Sequence, residues 1–211
     1  MSYQQLEYEP RAVPLPAAVR AFIEDAAQRC DEFYAQNLNR RYPRYIPSDA
    51  AQVYAALHHV TSQNLTLGNR FVEWGSGFGV ATGLAAMLGY AATGIEHEAE
   101  LVKRAQHLLA DHHIKGRILC QTYLPDGYEI YEAVGGSELI QEERWEAVIE
   151  EPPRYEGMED DLEEIDLFFV YPWPAEQEMM LQLFSAVAGE GAILIVYFSE
   201  NDIGIYQRLY D

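Results

Sequence analysis

The chain has 211 residues, of which 49% are hydrophobic and 12% aromatic, which predicts one globular domain with a substantial core. Acidic side chains outnumber basic ones by 34 to 14, and the formal charge of −20 argues against a nucleic-acid partner because it repels phosphates. We find no apolar run near the roughly 20 residues that span a bilayer, no signal-peptide pattern, and only two distant cysteines, Cys30 and Cys120. We therefore expect a protein of the reducing cytoplasm, with no membrane partner and no disulfide framework or metal site.

The first 69 residues predict a helical extension to the domain. After an irregular lead over 1–13, apolar residues recur at three- and four-residue spacing over 17–35, which predicts an amphipathic helix. A proline-containing loop follows over 37–47. Ser48 or Asp49 then caps a second helix that ends near Val60.

The loop between these two helices contains a basic and aromatic cluster. Its members are Arg40, Arg41, Tyr42, Arg44 and Tyr45. The arginines could bind an anionic group of a ligand, since guanidinium groups pair well with carboxylates. They could equally pair with the acidic surface of the protein itself, and the sequence leaves both interpretations open.

Residues 70–109 carry the most specific signal in the chain. A β-favouring run over 70–74 leads into three alternating glycines, a helix over 80–88, a second apolar run over 91–96 and another helix from residue 98. The glycines are Gly75, Gly77 and Gly79. Such a turn lets the backbone approach a ligand, and the helix after it directs N–H groups to the same place. The alternative is a turn whose glycines only let a helix pack closely on a strand.

The spacing within this turn excludes one kind of ligand and favours another. A dinucleotide fingerprint needs its third glycine five positions after the first, where this chain has Val80, so a nicotinamide oxidoreductase is disfavoured. The pattern present is E-x-G-x-G-x-G, which begins at Glu73, and Glu96 ends the second strand. A carboxylate beside the turn suits a cationic ligand without a phosphate.

The segment resembles the class I, Rossmann-like methyltransferases that depend on S-adenosylmethionine. Their first motif is an acidic residue followed by G-x-G-x-G, and their second is an acidic residue at the end of strand 2. The resemblance implies that Glu73 accepts from the cofactor's ammonium group and that Glu96 binds its ribose hydroxyls. It places four turn residues at the cofactor: Gly75, Ser76, Gly77 and Gly79.

Further cofactor contacts follow from the order of strands in this family. His97 directly follows Glu96 and would border the cofactor, in a packing or adenine-stacking role rather than a chemical one. The run over 116–121 predicts strand 3, whose carboxyl end faces the adenine in a doubly wound sheet. Gln121, Thr122 and Tyr123 are therefore candidate adenine contacts.

Residues 171–174 form a second place where chemistry is plausible. The apolar run over 165–171 predicts a central strand, strand 4, and it ends in Tyr-Pro-Trp-Pro. This is similar to the Asn/Asp-Pro-Pro-aromatic motif of amino-methylating members, but Tyr171 replaces the amide or acid and Trp173 separates the prolines. We predict that Tyr171 and Trp173 line the methyl-acceptor site. The alternative is a rigid exit from the strand.

The region between strands 3 and 4 is long and acidic. Residues 142–166 hold 12 Asp or Glu against two arginines, and we predict an acidic insert over about 141–164. Ahead of it we predict a helix over 128–140, and a strand or apolar patch over 145–149. A solvated surface segment is the competing interpretation of the acidic run.

The carboxyl-terminal part departs from the family. We predict a helix over 175–188 and strand 5 over 192–198, after which 13 residues remain, enough for one edge strand over 199–211. An exposed apolar edge there favours a homodimer.

Together these features predict one Rossmann-like α/β domain over 1–211, with a mainly parallel sheet of order 3-2-1-4-5 that is shortened at its carboxyl-terminal end. A helical cap covers 1–69 and a cofactor-binding core covers 70–198. The predicted activity is methyl transfer from S-adenosylmethionine to a small molecule or a protein side chain. A second hypothesis is a regulatory or scaffold protein that binds this cofactor without turnover, which the shortened end and the altered 171–174 motif favour.

Overall fold

The computed structural model of the chain describes residues 3–125 and 153–209, which form one mixed sheet with helices on both faces. The strands are β1 (Tyr3–Leu6), β2 (Arg70–Trp74), β3 (Ala91–Glu96), β4 (Gly116–Cys120), β5 (Leu167–Val170), β6 (Ile193–Ser199) and β7 (Asp202–Arg208). The helices are α1 (Ala17–Ala35), α2 (Ala50–Ser62), α3 (Val80–Met87), α4 (Ala99–Asp111) and α5 (Gln177–Val187). Among the described residues, no helix is both long and apolar enough to cross a membrane.

The sheet has the order β1-β7-β6-β5-β2-β3-β4. The five strands from β4 to β6 are parallel, and their order confirms the predicted 3-2-1-4-5 arrangement. In such a sheet the connections reverse direction between β2 and β5, and ligands bind outside the carboxyl ends of the strands at this switch point. The fold therefore brings the glycine turn after β2 and the 171–174 segment after β5 to the same edge.

The two ends of the chain form an antiparallel addition to this sheet. Strand β7 pairs antiparallel with β6, which confirms a strand within 199–211, but β7 is not the edge strand that was predicted. The expectation of an irregular segment over 1–13 is wrong, because Tyr3–Leu6 pairs with β7 and forms the outer strand. The edge on which the dimer expectation depended is thus covered by the chain's own β1, and the homodimer stays a prediction.

The sheet is buried on both faces. In β5, Leu167 and Phe169 pack with α1 to α4 on one face, whereas Phe168 and Val170 pack with α5 on the other. All four side chains are buried, as expected for a central parallel strand that reads as a continuous apolar run. At the start of α2, the Asp49 carboxylate accepts from two backbone N–H groups and caps the helix, as predicted.

Part of the acidic insert lies outside the described residues, as do the helix predicted over 128–140 and the strand or patch predicted over 145–149. The described part, residues 153–166, packs against the sheet. Leu162 and Ile165 are buried there, and Arg70 of β2 pairs with Asp160 at 2.8 Å. At least this part of the acidic run is anchored on the domain.

Candidate functional site

The carboxyl ends of the parallel strands open into a cavity of about 850 Å³, at the switch point between β2 and β5. This volume is within the range of roughly 300–1,000 Å³ that is typical of small-molecule sites. The walls come from α1, the loop before α2, the glycine turn, the end of β3 and the segment after β5. Segments that are distant in the sequence therefore meet at one place.

The glycine turn is tied to the neighbouring strand by its backbone. The N–H groups of Gly75 and Ser76 both donate to the Ile95 carbonyl at 2.9 Å. Gly75 has a φ of +73°, and a Cβ atom at this position would meet no atom within 4 Å. The turn thus presents open backbone to the cavity, which is the geometry that lets a ligand approach closely.

The third glycine has a different role from the first two. Gly79 has a φ of +70°, and a Cβ atom there would lie 3.1 Å from both Ala105 Cβ and Ile118 Cδ1. It does not line the cavity, so it serves the packing of α3 against α4 and β4 rather than contact with a ligand. Gly75 therefore fits the interpretation that the turn contacts a ligand, and Gly79 fits the interpretation that it lets a helix pack closely.

Glu96 is buried and is held in one orientation by two backbone groups. Its Oε2 accepts from the Gly77 N–H at 2.9 Å, and its Oε1 accepts from the Glu98 N–H at 2.8 Å. The side chain of His97 is exposed, and its Nδ1 lies 3.4 Å from Glu96 Oε1. Glu96 and His97 both line the cavity, as predicted, and the carboxylate of Glu96 is fixed against the glycine turn.

Glu73 is a buried carboxyl group on the wall of the cavity, with 5% of its surface exposed. Its Oε2 accepts from the Thr82 N–H at 2.7 Å and from the Thr82 hydroxyl at 2.6 Å. Burial raises the pKa of Glu73 to about 8, and the negative charge of Glu96 acts in the same direction. A cationic group beside Glu73 would favour its charged form and lower this pKa.

Ser76 supplies an unpaired polar atom at the same wall. Its Oγ is buried and has no hydrogen-bond partner among the described residues. Buried hydroxyl groups in proteins nearly always have such a partner. Because Ser76 lines the cavity, a bound ligand is the natural partner for this hydroxyl.

The lining of the cavity is strongly acidic. Its described carboxylates are Asp31, Asp49, Glu73, Glu96, Glu98, Glu176 and Glu200. Among the described lining residues, Arg44 is the only arginine or lysine. A cleft lined by one sign of charge concentrates ligands of the opposite sign, so this cavity favours a cation.

The loop before α2 covers the glycine turn. The ring of Tyr45 stacks on that of Phe78 with 4.6 Å between centroids, and a Cβ atom at Gly77 would lie 2.7 Å from Tyr45 Cε2. Arg44 lines the cavity and forms an ion pair with Glu176, so for this arginine the pairing with the protein's own acidic residues is confirmed. Arg40 and Arg41 are exposed and lie outside the lining.

Tyr171 and Trp173 both line the cavity after β5. The Tyr171 ring meets the edge of the Tyr197 ring at 4.8 Å between centroids. Sequence reasoning missed Tyr197, although its place near the end of the strand beside β5 was a usable signal. The Tyr197 hydroxyl accepts from the Asp49 N–H at 3.3 Å and so joins β6 to the start of α2.

Thr122 lies outside the cavity, contrary to expectation. It is exposed, and its hydroxyl accepts from the Leu124 N–H at 3.3 Å. Strand β4 ends at Cys120, one residue earlier than predicted, and the neighbouring Tyr123 is the residue that reaches the cavity. The predicted site residues that fall outside the lining are Gly79, Gln121 and Thr122.

We compared the sequence and the fold with known proteins. The sequence matches no protein-family model and no curated protein. The structure of an RNA methyltransferase from Salinibacter ruber, in complex with S-adenosyl-L-homocysteine, is 13% identical, with a TM-score of 0.51 over 79% of this chain and 95% of that chain. A methyltransferase from Geobacter sulfurreducens is 14% identical, with a TM-score of 0.54 over 93% of each chain.

The chain has the fold of these methyltransferases. At such low identity the likeness concerns the course of the backbone, and the chemistry must be argued from the residues of this chain. In this chain the elements at the carboxyl edge of the sheet form the acidic cavity.

Proposed function

We propose that the protein transfers a methyl group from S-adenosylmethionine to a small molecule or a protein side chain. One observation carries the proposal: a glycine turn lies between two buried carboxylates, Glu73 and Glu96, on the wall of an acidic cavity at the switch point of the sheet. The methyltransferase fold supports it, and one structure of that fold is a complex with S-adenosyl-L-homocysteine.

The residues of the cavity fit this cofactor. Gly75 and Gly77 would bring the backbone near its methionyl and ribose parts, and Glu96 would accept from its ribose hydroxyls. Glu73 would accept from its ammonium group, because a buried carboxyl group of raised pKa gains most from a nearby cation. The unpaired hydroxyl of Ser76 offers a further hydrogen bond.

When bound, S-adenosylmethionine supplies a methyl group on a positively charged sulfur. The transfer is an in-line displacement, so the protein contributes chiefly by holding the two reactants in position. Tyr171 and Trp173 would hold the acceptor at the end of β5. The acidic lining would favour binding of the cationic cofactor, because a cleft lined by one sign of charge concentrates ligands of the opposite sign.

We further propose a cytoplasmic location and no nucleic-acid partner. Both cysteines are free, which agrees with a reducing compartment. The net charge of −20 opposes association with nucleic acid.

Calorimetric titration with S-adenosylmethionine, S-adenosylhomocysteine and NAD tests the proposal. We expect both sulfur nucleotides to bind and NAD not to bind. Glu96→Gln should weaken binding by at least about tenfold, since it replaces a charged acceptor of two hydroxyl groups. Glu100→Gln is the matched control, because Glu100 lies in the first turn of α4 and outside the lining. If neither sulfur nucleotide binds, the proposed function is wrong.

A second measurement separates an enzyme from a protein that only binds the cofactor. Release of S-adenosylhomocysteine is measured with a cell extract as the source of acceptor. We expect Trp173→Ala to lose this turnover while its affinity for the cofactor stays within about twofold, a difference well below 1 kcal/mol. Equal turnover in the variant and the natural protein would remove Trp173 from the acceptor site.

A further inference from the structure

The acceptor end of the cavity is the part around Trp173 and Glu176. A cationic side chain of the protein itself, that of Arg44, already lies there. The Arg44 guanidinium lies 5.7 Å from the centre of the Trp173 ring and forms an ion pair with Glu176. An aromatic face beside a carboxylate is a combination that recognises guanidinium and ammonium groups. Trp173 and Glu176 therefore form a cation-binding corner in which Arg44 is the present occupant.

The ion pair between Arg44 and Glu176 is accessible to solvent. Its side chain is 58% exposed, whereas that of Glu176 is 23% exposed. An ion pair with so exposed a partner contributes little to stability, because water competes for both charges. A ligand that offered the same charge and entered the cavity could take the place of Arg44 at little cost.

The rest of the cavity opposes an anionic acceptor. Glu176 neutralises Arg44, and five further described acidic residues of the lining besides Glu73 remain to repel negative charge. At the acceptor end these include Asp49 and Glu200, near the rings of Tyr171 and Tyr197. The Ser76 hydroxyl, which is buried and has no hydrogen-bond partner among the described residues, lines the same cavity.

We propose that the methyl acceptor is a small organic cation, an alkylamine or guanidine whose charged group replaces Arg44 between Trp173 and Glu176. This inference rests on the proposed function, because it names the acceptor class for the same cavity. A molecule with two basic groups fits best. One group stays protonated and anchors at Trp173 and Glu176, while the other receives the methyl group.

The transfer balances without any further reactant. The acceptor nitrogen first releases a proton to solvent, which leaves a neutral amine with a free electron pair. This pair forms the new N–C bond as the S–C bond of the cofactor breaks and its electrons return to sulfur. The products are an N-methylated ammonium, S-adenosylhomocysteine and one proton.

Calorimetry with agmatine, which carries one guanidinium and one amine, tests the inference on the complex with S-adenosylhomocysteine. The titration uses a physiological ionic strength of about 0.15 M, at which weak long-range attraction to the acidic protein is screened. Butane-1,4-diol and succinate serve as neutral and anionic probes. We expect agmatine to bind and both of these to fail.

Three variants locate the binding. Glu176→Gln should weaken agmatine binding by about tenfold, the loss expected for one charge-assisted hydrogen bond. Glu178→Gln removes the same charge from the first turn of α5, outside the lining, and should change the affinity by less than about twofold. Arg44→Ala should tighten binding, because the internal competitor is gone.

Several results would overturn the inference. They are equal binding of the diol and agmatine, tighter binding of succinate, equal losses in Glu176→Gln and Glu178→Gln, or no agmatine binding to a protein that binds S-adenosylhomocysteine. Failure of S-adenosylhomocysteine itself to bind would instead refute the proposed function. Agmatine is then titrated into the free protein, where binding that depends on Glu176 supports the cation-binding corner and its absence refutes it.

Discussion

The two halves of the cavity are built by different kinds of interaction. At the glycine turn, buried carboxylates bind backbone N–H groups, as Glu96 does with Gly77 and Glu73 does with Thr82. At the acceptor end, an exposed ion pair and aromatic rings make the contacts, as Arg44 does with Glu176 and Trp173. Buried bonds to the backbone fix a geometry, whereas exposed side chains can rearrange. The half of the cavity at the glycine turn, which is the proposed cofactor half, is therefore preformed. The half around Arg44, Trp173 and Glu176, which is the proposed acceptor half, is adaptable.

The largest effect should come from removing the carboxylate that holds the turn. Glu96→Ala leaves the N–H groups of Gly77 and Glu98 without their acceptor, and an unsatisfied buried group costs about 1–3 kcal/mol. We expect a loss of about 2–4 kcal/mol in the free energy of unfolding, measured by urea denaturation, because two such groups are affected. A loss below that of Glu100→Ala would show that the turn is not held by Glu96.

The next prediction compares two glycine variants, and it distinguishes backbone strain from a clash with the loop that carries Tyr45. Gly77→Ala and Gly75→Ala both place a side chain at positive φ, which costs about 1–2 kcal/mol. Only the first also drives a Cβ atom into Tyr45, so its loss of stability should be the greater of the two. Urea denaturation of both variants measures the difference. Equal losses would mean that Tyr45 moves aside freely and that this half of the site is less rigid than its contacts indicate.

The raised pKa of Glu73 predicts a pH dependence with a definite sign. The folded protein holds this proton up to about pH 8, while an ordinary glutamate loses it near 4.5, so the group destabilises the fold increasingly as pH rises between these values. Glu73→Gln should remove this part of the decline, which denaturation at several pH values measures. Unchanged pH dependence in the variant would contradict the assignment.

The same carboxyl group links cofactor binding to proton release. At pH 7 the natural protein should release close to one proton as the cationic cofactor binds, because the cation stabilises the charged form of Glu73. Calorimetry in two buffers of different ionisation enthalpy measures this release. Glu73→Gln should abolish it, and an equal release in the variant would place the proton elsewhere.

The smallest effect on stability belongs to the acceptor half. Arg44→Gln should change the free energy of unfolding by less than about 1 kcal/mol, since exposed ion pairs contribute little. Arg40→Gln is the control, because Arg40 lies in the same loop and outside the lining. A large loss in Arg44→Gln alone, seen by urea denaturation, would show that the loop is locked rather than adaptable.

Prediction from the sequence succeeded for elements that a local run of residues defines. The bounds of β2 and β3 are as predicted, because apolar runs between turn residues define short buried strands. It failed at Tyr3–Leu6, whose partner β7 lies at the other end of the chain, and at Thr122, where a strand end shifted by one residue. The sequence pattern of an edge strand is weak. Such a strand pairs with whichever strand of the sheet still has unpaired backbone groups.

The sequence by itself determined the cofactor half of this protein. The carboxylates of Glu73 and Glu96 bind groups only nine and 19 residues away, so the strand, turn and helix between them fix the geometry. Only the tertiary structure decided the acceptor half, where Arg44 meets Glu176 across 132 residues and Asp49 meets Tyr197 across 148. Partners so far apart in the chain leave no local pattern in the sequence, and the packing of the sheet and its helices brings them together.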